Sequence, residues 1–121
     1  MKELKHPLLT NNYTMIVHED EPQFGAPHHF EVYPMANKDR GKLATVRVDF
    51  QEGPIKEHGV NGIANEDALV MVLARLEGFQ NTPYKCVENS DAIFHIEAAL
   101  KVLRSRTDKR VARNVEGTHL V

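Results

Sequence analysis

With a single cysteine, Cys86, in 121 residues, the chain excludes an intrachain disulfide and is compatible with a reducing compartment. A lone thiol is read here as a small buried apolar side chain in preference to a nucleophile. No run of about 18 apolar residues occurs and no signal-peptide pattern opens the chain, so no membrane span and an intracellular location are expected. Hydrophobic residues at 41% and charged residues at 26% belong to a soluble globular chain, one domain by length. Its core is small enough that association with further copies would relieve it.

Catalytic motifs are equally scarce. Two-histidine phosphodiesterases need two H-x-T or H-x-S motifs, and none of His6, His18, His28, His29, His58, His95 or His119 is followed two residues later by Ser or Thr. That mechanism is excluded. H-x-H-x-D-H, H-E-x-x-H, G-x-S-x-G and the P-loop are absent as well. The nearest approach to a metal cluster is His18-Glu19-Asp20-Glu21 with His28-His29, and no second cluster stands at ligand spacing, so no metal and no cofactor is expected. Gly59-x-x-Gly62 before a helix reads as a turn, because Glu66 and Asp67 in the next helical turn would repel a phosphate. It also lacks the basic neighbours of a single-strand RNA binder.

What is present has an order. Residues 1–12 form a short arm, after which Tyr13, Met15 and Val17 alternate with Thr14, Ile16 and His18 as in a strand. An acidic loop at Glu19-Asp20-Glu21-Pro22 leads to a second strand from His29 to Met35, closed near Pro34, and residues 37–41 make a turn. Leu43 to Phe50 is the clearest strand, with Ala44, Val46, Val48 and Phe50 on one side and Thr45, Arg47 and Asp49 on the other. A glycine-punctuated loop from Gln51 runs to an Asn65 N-cap. The expected fold is therefore α+β within a single domain of residues 1–121. An antiparallel sheet occupies about 13–55 and a helical hairpin about 65–113.

The first helix carries Leu69, Val72, Leu73, Leu76 and Phe79 at helical spacing, with Val70, Met71 and Ala74 widening the apolar surface. Such a helix asks for cover on several sides. The second begins near Cys86 with Ile93, Ile96, Leu100 and Leu103 in a stripe and ends in Arg106, Arg110 and Arg113. Between Lys101 and Arg113 six basic residues face one acid, a local net charge of +5 in a chain of net −2. A stripe of this kind on an acidic protein suits a compact anion or an acidic subunit surface more than a long nucleic acid, and no DNA or RNA partner is expected. Its alternative is a solvated helix end whose cations complement the helix dipole. Phe79 can stack on a purine or belong to the core, Asn89 can read a base edge or cap its helix, and Arg106 and Arg110 can fork onto pyrophosphate oxygens. Asn89 and Arg106 lie roughly 25 Å apart on a continuous helix, so one small ligand reaches both only if the helix breaks or a second chain intervenes.

F-Q-E-G-P-I-K-E-H-G-V-N-G (Phe50 to Gly62), L-E-G-F-Q (Leu76 to Gln80), C-V-E-N (Cys86 to Asn89) and R-T-D-K-R-V-A-R-N-V-E-G-T-H (Arg106 to His119) resemble, in that order, the Thoeris anti-defence sponge proteins of phages. The ending is also similar to the anti-CBASS cyclic-oligonucleotide sponges. The resemblance implies a homo-oligomer, dimer or hexamer, acting in the cytoplasm of the infected bacterial host. It would sequester glycocyclic ADP-ribose made by an immune TIR enzyme, without degrading it. It carries Phe79 over for stacking, Asn89 for a polar contact, Arg106 and Arg110 for phosphates, and Arg75 and Arg113 as secondary contacts, in sites formed between subunits. Three positions depart from the pattern: Val87 where arginine is usual, Val102 where tryptophan is usual, with an effect expected on packing only, and Asn114 where glycine is usual. The alternatives are sequestration of cyclic di- or trinucleotides, a nucleotide-cleaving phosphodiesterase using His95 or His119, and a protein-docking module.

Overall fold

Alternation of apolar and polar side chains makes Thr14–His18 (β2) and His29–Pro34 (β3) pair antiparallel, with Met15 opposite Tyr33 and Val17 opposite Glu31. The computed structural model describes residues 1–35 and 46–121, which fall into two compact units, Met1–Gly62 and Ile63–Val121. In the first unit Lys2–Glu3 (β1) and Val46–Asp49 (β4) complete a four-stranded antiparallel sheet in the order β1-β2-β3-β4. The terminal arm expected at residues 1–12 thus contributes an edge strand, Lys2 pairing with His18 and Glu3 with Val17. Two residues with no alternation leave nothing for a pattern to detect. The turn expected at 37–41 and the start of the strand expected from Leu43 lie outside the described residues.

One face of this sheet buries Met15, Val17 and Tyr33, with Met35 packed against them. On the other face His18, Phe30 and Phe50 meet edge to face, at 6.0 Å for His18 and Phe30 and 5.6 Å for Phe30 and Phe50. His18 is buried there, its Nδ1 donating to the Glu19 carbonyl at 2.8 Å. Tyr13, which alternates with Met15 and Val17 in the sequence, lies before the strand and is exposed.

A polar latch closes the end of the sheet. His29 stands directly opposite Asp49, and its two ring nitrogens donate to Asp49 Oδ1 at 2.7 Å and Glu52 Oε2 at 2.9 Å. Donation from both nitrogens requires the imidazolium form. The Asp49 hydrogen bond pushes the His29 pKa up and, against some desolvation, the Glu52 bond adds to it. Asp49 is held below the usual carboxylate range, first by that same bond and then by Arg47, whose Nε donates at 3.1 Å. Burial pushes the Glu19 carboxyl up, but the backbone N–H groups of His28 and His29 that donate to it outweigh that, and its pKa is lowered.

Beyond β4 the loop is zipped by two amide side chains. Asn61 Nδ2 donates to the Glu52 carbonyl and Asn61 Oδ1 accepts the Glu52 N–H, both at 2.8 Å. Gln51 reaches the other way, accepting the Asn61 N–H at 3.0 Å and donating to the carbonyls of Gly53 and Gly59. Between them Ile55–His58 (α1) forms one helical turn after Pro54, ended by Gly59 at φ 73°. Glycine punctuation alone reads as loop, and a single turn is too short to show a period. A Cβ at Gly62 would sit 2.4 Å from the carbonyl carbon of Phe50, so only glycine lets the chain pass there. Gly59-x-x-Gly62 is therefore turn and close approach.

The second unit is a hairpin of Asn65–Phe79 (α2) and Val87–Ala112 (α3). Asn65 is the first helical residue and not the cap: Ala64 occupies that place, and the Asp67 carboxylate accepts its N–H at 2.9 Å. This is one half of a capping box, the third helical residue reaching back to the N–H at the cap, while alanine has no side-chain acceptor for the other half. Leu69, Leu73 and Leu76 face Ile93, Ile96, Leu100 and Leu103 as half-buried stripes, yet neither helix holds a fully buried residue. Val70, Met71 and Val72 are about half exposed.

The latch fixes a pH profile. The raised His29 pKa contributes stability that is complete below its ordinary value of about 6.5 and is lost as pH rises through the raised value; the lowered Glu19 and Asp49 values contribute stability present above about pH 4 and lost as pH falls through them. Stability should peak between these limits, and His29→Gln should flatten the fall on the alkaline side in thermal melts across pH. An alkaline limb as steep in the variant as in the parent would remove His29 from this role.

Candidate functional site

Gln80, the residue after α2, ties the hairpin turn. Its Nε2 donates to the Cys86 carbonyl at 3.0 Å and to Ser90 Oγ at 2.8 Å, while its Oε1 accepts the Cys86 N–H at 3.1 Å. Cys86 is consequently the exposed N-cap of α3, not the buried apolar residue expected, because its backbone is consumed by Gln80 and its thiol turns outward. At this same end Phe79 closes α2 with its ring partly exposed, and the Arg75 guanidinium lies 5.2 Å from the ring centroid. Asn89 sits in the first turn of α3, half-buried, and its side chain makes no hydrogen bond among the described residues. It does not cap the helix. Val87, one of the departures, is exposed and lines an open groove of about 360 Å³ with Gln80, Lys85, Cys86 and Ser90.

The cationic end lies at the far side. Val102, Ser105, Arg106, Lys109, Arg110 and Arg113 share one helical face and, with Val121, line a groove of about 490 Å³. Arg106 is exposed and has no ion-pair or hydrogen-bond partner among the described residues. Arg110 is half-buried, and its Nη2 donates to the carbonyls of Val115 at 3.0 Å and Thr118 at 3.1 Å. Arg113 Nη1 donates to the Val121 backbone oxygen at 3.0 Å. Val102, expected to affect packing only, is 69% exposed and forms part of the groove wall. Lys109 belongs to the cationic stripe by sequence, but its place in the groove depends on the returning tail, which spacing along α3 does not show. The adjoining groove of about 610 Å³ contains the Arg104–Asp108 pair at 3.0 Å, which neutralises it in part.

Asn114 continues α3 into the tail at φ 59°, in the left-handed region where glycine is usual. Asparagine is the non-glycine residue that tolerates this best, so the departure keeps the turn.

α3 runs 26 residues without a break, which removes one of the two ways of bringing Asn89 to Arg106. Within one chain, Arg75, Phe79 and Asn89 gather at the hairpin tip and Arg106, Arg110 and Arg113 at the other end, roughly 25 Å away along α3. His95 lies between the two groups with its ring against Phe94, and His119 is in the tail.

In the sheet unit Glu19, His29 and Glu52 bring one ligand-capable atom each within 4.8 Å of one another. Sequence spacing could not reveal this, since Glu52 arrives from beyond β4. Both ring nitrogens of His29 and the Glu19 carboxylate are engaged in the hydrogen bonds of the latch, which accounts for the cluster structurally.

Sheet and hairpin define an α+β protein whose longest helix, α3, presents a cationic face. The chain belongs to the Acb2/Tad1 hairpin-domain family, whose model matches residues 42–108, from β4 through most of α3. It is 45% identical to the protein named Thoeris anti-defense 1 of Bacillus phage SBSphiJ7, over 142 aligned positions covering 98% of this chain and 99% of that relative. The alignment is longer than this chain, so the relative has residues with no counterpart here.

The backbone at 114 makes a direct prediction. Asn114→Val should destabilise by about 1–2 kcal/mol, the cost of a left-handed conformation for a β-branched residue, while Asn114→Gly should lose nothing in chemical denaturation. Equal midpoints for the two variants would contradict the assigned conformation.

Proposed function

We propose that this protein is a phage anti-defence protein of the Thoeris type. It acts by binding and sequestering a cyclic ADP-ribose-type immune signal, glycocyclic ADP-ribose, without degrading it. The anti-defence role is supported by family membership and by the near full-length relative of that name. The observation that carries the binding role is the arginine-lined groove, where Arg106 offers a forked donor set with no partner among the described residues. Pyrophosphate oxygens match that geometry. Phe79 and Asn89 supply a stacking face and a base-edge or ribose contact at the hairpin tip.

An uninterrupted α3 supports placing the site between subunits. Tip and cationic end reach one small ligand only if they come from different copies, so the site belongs between subunits. The exposed apolar residues Val70, Met71, Phe94 and Val102 on the hairpin are consistent with such an assembly. Storage needs no proton transfer, and tight binding follows from stacking plus charge-assisted hydrogen bonds in a partly closed site.

The test is to mix protein with glycocyclic ADP-ribose, remove free ligand, denature the protein and identify what is released. Intact nucleotide is expected; a cleaved product would make the protein an enzyme, and none at all would end this reading in favour of a cyclic oligonucleotide or a protein partner. Arg106→Ala should weaken binding about 10- to 100-fold with unchanged circular dichroism, as loss of a charged hydrogen-bonding group predicts. Unaltered affinity would remove Arg106 from the site.

A further inference from the structure

The two arginines that sequence spacing treats as equivalent, Arg106 and Arg110, have different surroundings. Arg110 is half-buried and spends one guanidinium nitrogen on two main-chain carbonyls, those of Val115 and Thr118. The turn it grips is independently closed: the Val115 N–H donates to the Arg110 carbonyl at 3.1 Å, the Thr118 N–H to the Val115 carbonyl at 3.1 Å, and Thr118 Oγ also donates to that carbonyl. Val115 is the one buried hydrophobic side chain among the described residues of the second unit. From this turn the chain doubles back, the Leu120 N–H donating to Thr118 Oγ and the Val121 backbone reaching Arg113, so that Val121 becomes a wall of the groove. Arg106 and Lys109 line the same groove, both exposed, neither side chain holding a hydrogen bond or ion pair among the described residues.

We propose that the cations of this face divide their work: Arg106 and Lys109 hold the anionic group of the ligand, while Arg110 is a positioning residue that fastens the 115–121 tail as the groove's wall. The anion half rests on the sequestration reading; the fastening half concerns the ligand-free protein. Lys109 is the new contact. It is three residues from Arg106 on one helical face, and an ammonium on a flexible stem can follow a phosphate that a fixed guanidinium fork meets at one angle. Arg110 suits the other task, because a guanidinium holds two carbonyls at once and a lysine ammonium lacks its planar fork.

Two measurements separate the halves. In hydrogen exchange on the ligand-free protein, Arg110→Lys and Thr118→Val should each speed exchange at residues 115–121 by at least about tenfold, while Lys109→Gln leaves it unchanged. Thr118→Val disturbs the turn without touching any charge. Protection in the tail as strong in Arg110→Lys and Thr118→Val as in the parent overturns the fastening role. In titrations with glycocyclic ADP-ribose at low and high salt, Lys109→Gln should lower affinity about tenfold and make it less salt-dependent, since a charge contact is lost. Arg110→Lys should lower affinity with salt dependence unchanged, as should Thr118→Val. Parental affinity in Lys109→Gln, or a reduced salt dependence in Thr118→Val, overturns the division. If the unaltered protein does not bind this nucleotide, the sequestration reading fails and the anion half with it, while the exchange result decides the fastening half on its own.

Discussion

The unbroken backbone hydrogen-bond ladder of α3 is the constraint on which the arrangement of chemistry depends. Twenty-six residues in one helix amount to about 39 Å, against about 22 Å for the 15 residues of α2. The shorter helix cannot accompany the longer one along its whole length, and the residues left over are the cationic ones. A rigid rod of this kind keeps the tip, with Phe79, Asn89 and the guanidinium of Arg75 over the Phe79 ring, apart from the end that carries Arg106, Arg110 and Arg113. Separation by a helix also shields the tip from the positive field: at distances beyond about 8–10 Å exposed charges are largely screened at ordinary ionic strength.

Little of the stability in this molecule comes from depth of burial. Among the described residues, Met15, Val17 and Tyr33 make the sheet's buried cluster, and neither hairpin helix fully buries a side chain. Side-chain to backbone hydrogen bonds take over much of the positioning. Gln51 and Asn61 close the loop after β4, Gln80 closes the hairpin turn, and Arg110 closes the tail, each by offering donors or acceptors in pairs to main-chain groups of a loop or turn. A bidentate partner restricts a loop in two directions at once, which one hydrogen bond does not. These residues fall inside the sequence blocks Phe50 to Gly62, Leu76 to Gln80 and Arg106 to His119. Part of what makes those blocks recognisable is thus loop architecture, and the rest is the cationic face.

Legibility from the sequence followed the length of each periodic signal. β2, β3 and β4 are readable because alternation persists over four to six residues, and α2 and α3 because their stripes span several turns. β1 and α1 are not, being two and four residues long. Propensity favours asparagine as a cap and so points to Asn65, whereas the structure puts Ala64 there, with the Asp67 carboxylate reaching back to the Ala64 N–H. Cys86 was misread because cysteine is usually buried, and no local pattern announces that Gln80 will claim its backbone. Among the candidate site residues, positions on helices were legible from spacing. The engagement of Arg110 and Arg113 by the tail was not, since it depends on where the chain goes after Asn114.

By itself the sequence determined the types of the longer elements, the concentration of positive charge at the end of one helix, and the family blocks, because periodicity, charge and motif order are properties of neighbours along the chain. Tertiary structure decided which of those charges are free. Whether an arginine meets a carbonyl or stays exposed depends on the left-handed turn at Asn114 that sends the tail back along the helix. In the same way, the union of Glu19, His29 and Glu52 depends on strand register, which is set by pairing across the sheet.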